Sequence, residues 1–461
     1  MDLRDRKVAL AAAVDDLLRV VPYAHAFAQV REGTAFRATT RATAIEPLDP
    51  VCGVVLSAWN GETMLEVSVP SLDDDAVKGA TARLRDLITR QGSRTGPAID
   101  PGAPLERDFA VAEHIPVSSL SLEERLARVQ AIKDRVHALD ARVKNAVARA
   151  THVRTQEIFV GPTRRLFQDL RRAEMVCLVV MEQGGHAADL HGGRGRQGGA
   201  EHLTLADDDV AHLVEDCARM LGAERAPGGS YRCVFDGDVA GLLAHEAFGH
   251  GTEADMFVKR RAKGAGYLGK QVGSELVDMY DDPSLPGEAA SYFFDHEGHL
   301  AAPTRIIERG VLLAPLTDLV SATYLGMART ANGRRESVQR KAYTRMSNTF
   351  FGKGGDRHDA LVASLDDGLL VRHARNGMED PKGWGIQCEA YLAEEIKGGK
   401  RTGRVFSPVI ITGYVPDLLT SIDGVSDAVE IGGLGMCGKG YKEWVKVTDG
   451  GPSLRLTARI A

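Results

Sequence analysis

Residues His245-Glu246-Ala247-Phe248-Gly249-His250 carry the pattern best suited to chemistry. Two imidazoles can hold a divalent cation, and a neighbouring carboxylate can move the proton of an attacking water. The common zinc-peptidase pattern spaces its histidines four apart on a helix, within roughly 40° of one another on one face. Here the spacing is five, and a regular α-helix would splay the pair by roughly 140°, too far for one ion. A π-bulge supplies the i to i+5 register. Gly249 and Gly251 flank His250 and permit the local unwinding that would swing it back. Spacing alone leaves this metal reading open beside a chance string.

A catalytic zinc keeps three protein ligands and one open position. Cys52, Cys177 and Cys233 lie in apolar strand-like runs and Cys217 on an amphipathic helix. Each reads as a small core residue. Cys388, in Gly385-Ile-Gln-Cys-Glu-Ala390, is ambiguous. Cys437 differs, because it lies in Gly432-Gly-Leu-Gly-Met-Cys-Gly-Lys-Gly440, where glycines let the backbone approach something closely. The alternative is a flexible turn with an incidental thiol.

These residues need elements to position them. Val239–Ala244 is an apolar helical run leading into His245. Residues 3–20, 73–89, 121–139 and 207–221 read as helices, the third opened by the capping box Ser121-Leu-Glu-Glu124. Val143–Ala150 reads as its continuation or restart. Strand-like runs occupy 53–57, 64–69, 152–160 and 175–181 in the first half. After Tyr231 short strands dominate: 232–235, 291–294, 311–314, 391–395, 409–414 and 454–459. Gly184 to Gly199 (GGHAADLHGGRGRQGG) has no periodicity and reads as a mobile loop. The class is α+β, a helix-rich α/β region followed by a strand-rich C-terminal catalytic domain. Composition shifts divide it into residues 1–226, with a sub-boundary near 97–116, and residues 227–461.

Composition narrows the function classes. The chain has 461 residues, more than one core usually supports. A net charge of −6 and 6% aromatic residues argue against nucleic acid and anionic membranes as partners. No run approaches the ~18 apolar residues of a membrane span. The N-terminus reads as an amphipathic helix, not a signal peptide. Six cysteines in this length are no disulfide framework, so a cytoplasmic protein is expected.

Several ordered blocks together resemble the TldD/PmbA family of metallopeptidases. They are Leu243-Ala-His-Glu-Ala-Phe-Gly-His-Gly-Thr-Glu-Ala-Asp255, Asp295-His-Glu-Gly298, Ala331-Asn-Gly-Arg-Arg-Glu-Ser337, Arg345-Met-Ser-Asn-Thr349 and Gly435-Met-Cys-Gly-Lys439. Ser121–Val143 and residues 192–199 are similar to the family's middle region. The likeness runs from about Val117 to Pro452. The motif is intact, so the chain resembles the metal-bearing TldD-like members and not their PmbA-like (TldE) partners. The resemblance implies His245, His250 and Cys437 as zinc ligands and Glu246 as the catalytic residue. It also implies a homodimer, or a heterodimer with a PmbA/TldE-like subunit, enclosing a cleft that takes unfolded peptides. The tail departs from the family's small, Gly-, Val- and Pro-rich pattern, with Tyr441 and Trp444 close after Cys437. That departure makes a dedicated tailoring amidase or peptidase for a natural-product peptide a competing expectation. A non-proteolytic regulatory partner protein is another, disfavoured because a purely structural zinc needs no base beside it.

Overall fold

A computed structural model describes residues 2–440 and 442–461; Tyr441 lies outside the described residues. The first half is built on one twisted sheet. Its strands are β1 (Tyr23–Thr39), β2 (Thr43–Pro47), β3 (Val51–Trp59), β4 (Met64–Val69), β5 (Leu105–Ala110), β6 (Val143–Val160), β7 (Arg164–Gln183) and β8 (His186–Gln197). The order is β4-β3-β1-β6-β7-β5, with β2 also on β1 and β8 also on β7. All pairings are antiparallel except that of β5 with β7.

Strand parity divides the work of the two faces. Even residues of β1, such as Ala26, Ala28, Phe36 and Ala38, pack under four helices: α1 (Lys7–Leu17), α2 (Asp74–Gln91), α3 (Leu122–Leu139) and α4 (Asp207–Met220). Ser121 and Glu124 close the expected capping box of α3, worth about 1 kcal/mol. The opposite face meets the second half of the chain. There Phe27 packs with Val55 and Val338, and Phe159 and Leu166 pack with Phe294. Burial on both faces explains why β1 is buried without a break from Tyr23 to Gln29. A polar row crosses this contact. Glu157 accepts from Gln29 Nε2 (2.7 Å) and Gln168 Nε2 (2.6 Å), and its Oε1 lies 3.3 Å from His296 Nε2.

The second half opens with β9 (Gly229–Phe235), which lies between strands Asp367–Glu379 and Leu454–Ile460 in a seven-stranded sheet. A six-stranded sheet includes Asn348–Phe351 paired in parallel with Thr448–Gly451. The helix α5 (Gly237–Ala244) is buried between the sheets at every residue except Asp238 and is N-capped by Asp236, whose Oδ1 accepts from Val239 N at 2.8 Å. It approaches the six-stranded sheet so closely that a Cβ on Gly241 would sit 2.4 Å from Gly450 N. No helix among the described residues is long and apolar enough to cross a membrane.

The architecture is α+β, with the longest helices in the first half. Four local expectations change. Val143–Ala150 is strand, not helix: α3 stops at Asp140, which turns the chain by accepting from Arg142 N at 2.8 Å, and pairing with β1 then overrides the helix propensity of Ala, Lys and Arg. The stretch 97–116 contains strand β5. Ser291–Phe294 is a loop, tied down by Gln168, whose Oε1 accepts from Phe293 N at 2.9 Å. The glycine-rich stretch is strand β8, not a mobile loop. Its glycines serve close approach: a Cβ on Gly193 would lie 2.2 Å from Met175 O, and one on Gly195 2.3 Å from Gly433 O. So β8 presses against the segment that leads to Cys437.

Candidate metal centre

Helix α5 runs directly into a π-helical turn, His245–Gly249. The N–H of His250 donates to His245 O, the i to i+5 bond that a five-residue histidine spacing needs. The rings of His245 and His250 stand 5.0 Å apart at 89°. Gly249 leaves room for the Met346 side chain, since a Cβ there would meet Met346 Sδ at 2.2 Å and force it to move.

Cys437 arrives on a short hairpin, Met436–Lys439 paired with Lys442–Lys446. Its Sγ lies 3.3 Å from His250 Nε2. One donor atom from each of His245, His250 and Cys437 lies within 4.8 Å of the others, the only such group of three among the described residues. Tetrahedral zinc with these ligands holds its donors about 3.4–3.6 Å apart, so small side-chain rotations suffice. His245 Nδ1 is buried with no hydrogen-bond partner among the described residues. Burial alone would keep the imidazoles neutral and the thiol protonated. The Cys437–histidine attraction overrides it, raising His250 well above its usual range and lowering Cys437 well below. A thiolate is the form that binds metal. The donor set therefore fits a divalent metal.

Glu246 is buried, and burial raises its carboxyl, countered by the two histidines. The strand Asp367–Glu379 lies against it: a Cβ on Gly377 would be 2.6 Å from Glu246 Cγ. That glycine leaves the space in which the carboxylate sits.

Behind these residues stands a charged network to which the sequence reading assigned no role. Glu253 Oε2 lies 3.3 Å from His250 Nδ1, the arrangement that orients a ligating imidazole. Glu253 is held in turn by Arg345 Nε at 3.2 Å and Lys439 Nζ at 3.1 Å. Arg345 Nη2 reaches Cys437 Sγ at 2.8 Å and Cys437 O at 3.0 Å, and Lys439 also pairs with Asp255 at 2.7 Å. All four residues lie in the motif blocks already quoted. Glu253 three residues after His250 was the one signal of spacing that pointed to them.

Other singled-out residues fall elsewhere. Asn332 bonds to Asp281, Arg334 to Met346 O, and Arg335 pairs with Glu66 at 3.0 Å; Arg334 and Arg335 also line a cavity beside the Cys437 hairpin. Asp295 is a turn residue accepting from Glu297 N and His299 N, and Glu297 accepts from Leu319 N. Cys177, Cys217, Cys233 and Cys388 are core thiols, whereas Cys52, expected in the core, is exposed. Trp444 is partly exposed, its ring 3.2 Å from where a Cβ on Gly438 would stand.

The profile of the PmbA/TldA metallopeptidase C-terminal domain matches residues 228–460. A metalloprotease of Methanocaldococcus jannaschii is 30% identical over 326 residues, spanning 70% of this chain and 71% of the relative. A zinc metalloprotease TldD homolog of Saccharolobus solfataricus is 25% identical over 344 residues, 72% of this chain and 75% of that one. TldE from Thermococcus kodakarensis has a similar fold, with a TM-score of 0.76 at 17% identity over 98% of this chain and 100% of that chain.

Proposed function

The chain belongs to the PmbA/TldD family of metallopeptidases, and from that premise we propose that it is a zinc-dependent peptidase acting on unfolded peptides or a peptide precursor. The observation that carries the reading is the convergence of His245, His250 and Cys437 beside the buried Glu246.

His245, His250 and the Cys437 thiolate would hold the zinc. Bound there, zinc supplies Lewis acidity for polarising water and the scissile carbonyl. Its identity is favoured by the mixed nitrogen and sulfur donors and by the zinc named for the Saccharolobus relative. Glu246 takes a proton from the attacking water on its carboxylate and delivers it to the leaving nitrogen. Its raised affinity for protons suits both transfers. Glu253 keeps the His250 Nδ1 proton directed away from the metal side, and Arg345 fixes the sulfur.

A cavity of about 380 Å³ lies between the β1–β6–β7 face and the Cys437 hairpin, lined by Arg31, Arg172, Met436, Trp444 and Val445 among others. It adjoins the hairpin that carries Cys437, but none of His245, Glu246, His250 and Cys437 lines it. Met436 and Trp444, both exposed there, favour a dedicated precursor as a second reading. Pairing with a second copy or a TldE-like subunit is part of the same proposal, supported by the TldE fold likeness. Six free cysteines support a reducing, cytoplasmic setting.

The test is mass-spectrometric detection of cleavage in an unfolded-peptide mixture by the zinc-loaded chain, beside Glu246→Gln. Cleavage by the first alone, at equal zinc content, supports the reading. Equal cleavage by both removes Glu246 as the base. No cleavage by the zinc-loaded chain, alone or with a TldE-like subunit, overturns the reading for general peptides.

A further inference from the structure

The cavity of about 380 Å³ beside the Cys437 hairpin is walled on one side by the first sheet. Side chains alternate along a strand, so odd residues of β6, such as Thr155, and even residues of β7, such as Arg172, share that face. Arg334 stands in the opposite wall.

Two guanidiniums of this cavity have only neutral partners. Arg172 donates to carbonyls alone, through Nε to Ala289 O at 2.5 Å and through Nη2 to Ser291 O at 3.4 Å. Arg334 donates through Nη1 to Met346 O, and its Cζ lies 5.1 Å from the centroid of the Tyr292 ring. Arg334 Nε is buried with no partner among the described residues. Neither arginine is within ion-pair distance of a carboxylate among the described residues. Burial first, and then Arg334, bring Arg172 down to about 10, which leaves it cationic at neutral pH.

The remaining charges of the wall are engaged. Lys446 pairs with Glu174 at 2.5 Å and Arg335 with Glu66 at 3.0 Å. Glu157 accepts from Gln29 and Gln168 and lies beside His296. Glu336 accepts from Glu443 N at 3.0 Å, and Glu32 and Asp49 are exposed. Asp281, which also acts on Arg334, accepts from Asn332, Ser347 and Thr349. Buried cations without a counter-ion are costly, and the fold keeps two on one cavity. Thr155 Oγ1 and Gln29 Oε1, both buried in its wall, also lack partners among the described residues.

The complementary ligand has a planar anion for the two guanidiniums, an N–H for Gln29 Oε1 and an apolar body for Leu48, Val153, Met436 and Trp444. A carboxylate carried by a peptide has all three, whereas a bare inorganic anion leaves most of this volume unfilled. The cavity also reaches the metal centre's own hairpin. Met436 precedes Cys437, and Val445 is the cross-strand partner of Cys437. We propose that Arg172 and Arg334 form a carboxylate-binding subsite in this cavity, which anchors a peptide substrate beside the metal centre. This rests on the peptidase reading and adds to it a preference for peptides that carry a carboxylate.

Calorimetric binding to the zinc-loaded Glu246→Gln protein separates the two claims, because it needs no turnover. The ligands are a short apolar peptide as its free acid, the same peptide as its carboxy-terminal amide, and the amide with an internal glutamate. The free acid or the glutamate peptide should bind about tenfold or more tighter than the plain amide, as charge-assisted pairs out of solvent do. Selectivity for the free acid alone assigns the subsite to a chain terminus, and rescue by the glutamate assigns it to a side chain; either supports the proposal. Adding Arg172→Gln or Arg334→Gln should cut the ratio about fivefold or more, and both together should bring it to about one. Arg172→Lys, the milder change, keeps the charge and should cut it less than Arg172→Gln. The ratio should survive removal of zinc, since its loss would put the carboxylate on the metal. Melting temperature is read on each variant, so that a misfolded sample is not scored. Equal affinity for all three peptides, a ratio unmoved by the arginine variants, a ratio lost with the zinc, or no binding at all overturns the subsite. Cleavage by the wild type without carboxylate preference sinks the subsite and leaves the peptidase. Carboxylate-selective binding with no cleavage does the reverse.

Discussion

Arg345 donates through Nη2 to Cys437 Sγ over 2.8 Å, while its Nε holds Glu253, which in turn faces His250 Nδ1. One buried guanidinium thus ties the Cys437 thiol to the His250 imidazole, two of the three proposed ligands, contributed from distant parts of the chain. It also draws charge from the thiolate, which offsets the weaker Lewis acidity expected when a thiolate replaces an imidazole.

Replacing Arg345 by Met keeps the volume and removes every donor. Glu253 then loses one of its two cationic partners, and breaking a buried pair of this kind costs about 3 kcal/mol of stability. Zinc affinity, read by competition with a chromophoric chelator, should fall about 10- to 100-fold. Unchanged affinity would mean that Arg345 only fills space.

Gly377→Ala tests whether the strand beside Glu246 sets its position. The added Cβ would stand 2.6 Å from Glu246 Cγ and 3.1 Å from its Oε1, so the carboxylate must shift. Bound zinc should stay at the wild-type level while kcat falls by about 100-fold, the effect of a displacement near 1 Å in a reacting group. Loss of zinc in parallel would show that the whole π turn had moved.

Acid should loosen the contact between the two halves through Glu157. Burial alone would raise its carboxyl, but His296, Gln29 and Gln168 hold it down at about 2 against 4.5 when free. Its folded value lies below the unfolded one, so the unfolded chain takes up the proton first as pH falls. The stabilisation is complete above pH 4.5 and is lost on the way down to about 2. Glu157→Gln should therefore melt below the wild type at neutral pH, by the equivalent of about 3 kcal/mol. The gap should narrow in that acid window. A gap independent of pH would assign the loss to packing.

The α+β class was legible because the amphipathic helices and short apolar strands declare their periods. The π turn was legible too, since a five-residue histidine spacing is useless on a regular helix and glycines stood beside it. Strand β8 was hidden because its glycines erase the alternation that marks a strand. The run 143–150 was hidden because good helix formers were taken into a sheet by a partner more than a hundred residues earlier. Glu253, Arg345 and Lys439 lay in recognised blocks, yet their roles depend on contacts between distant segments.

X-ray absorption at the zinc edge tests the proposed centre most directly. The zinc-loaded protein should show one sulfur at about 2.3 Å and two imidazole nitrogens at about 2.0 Å. In Cys437→Ser the sulfur shell should vanish and zinc occupancy should fall. A wild-type spectrum with no sulfur, or a sulfur shell that survives Cys437→Ser, would contradict a metal held by His245, His250 and Cys437.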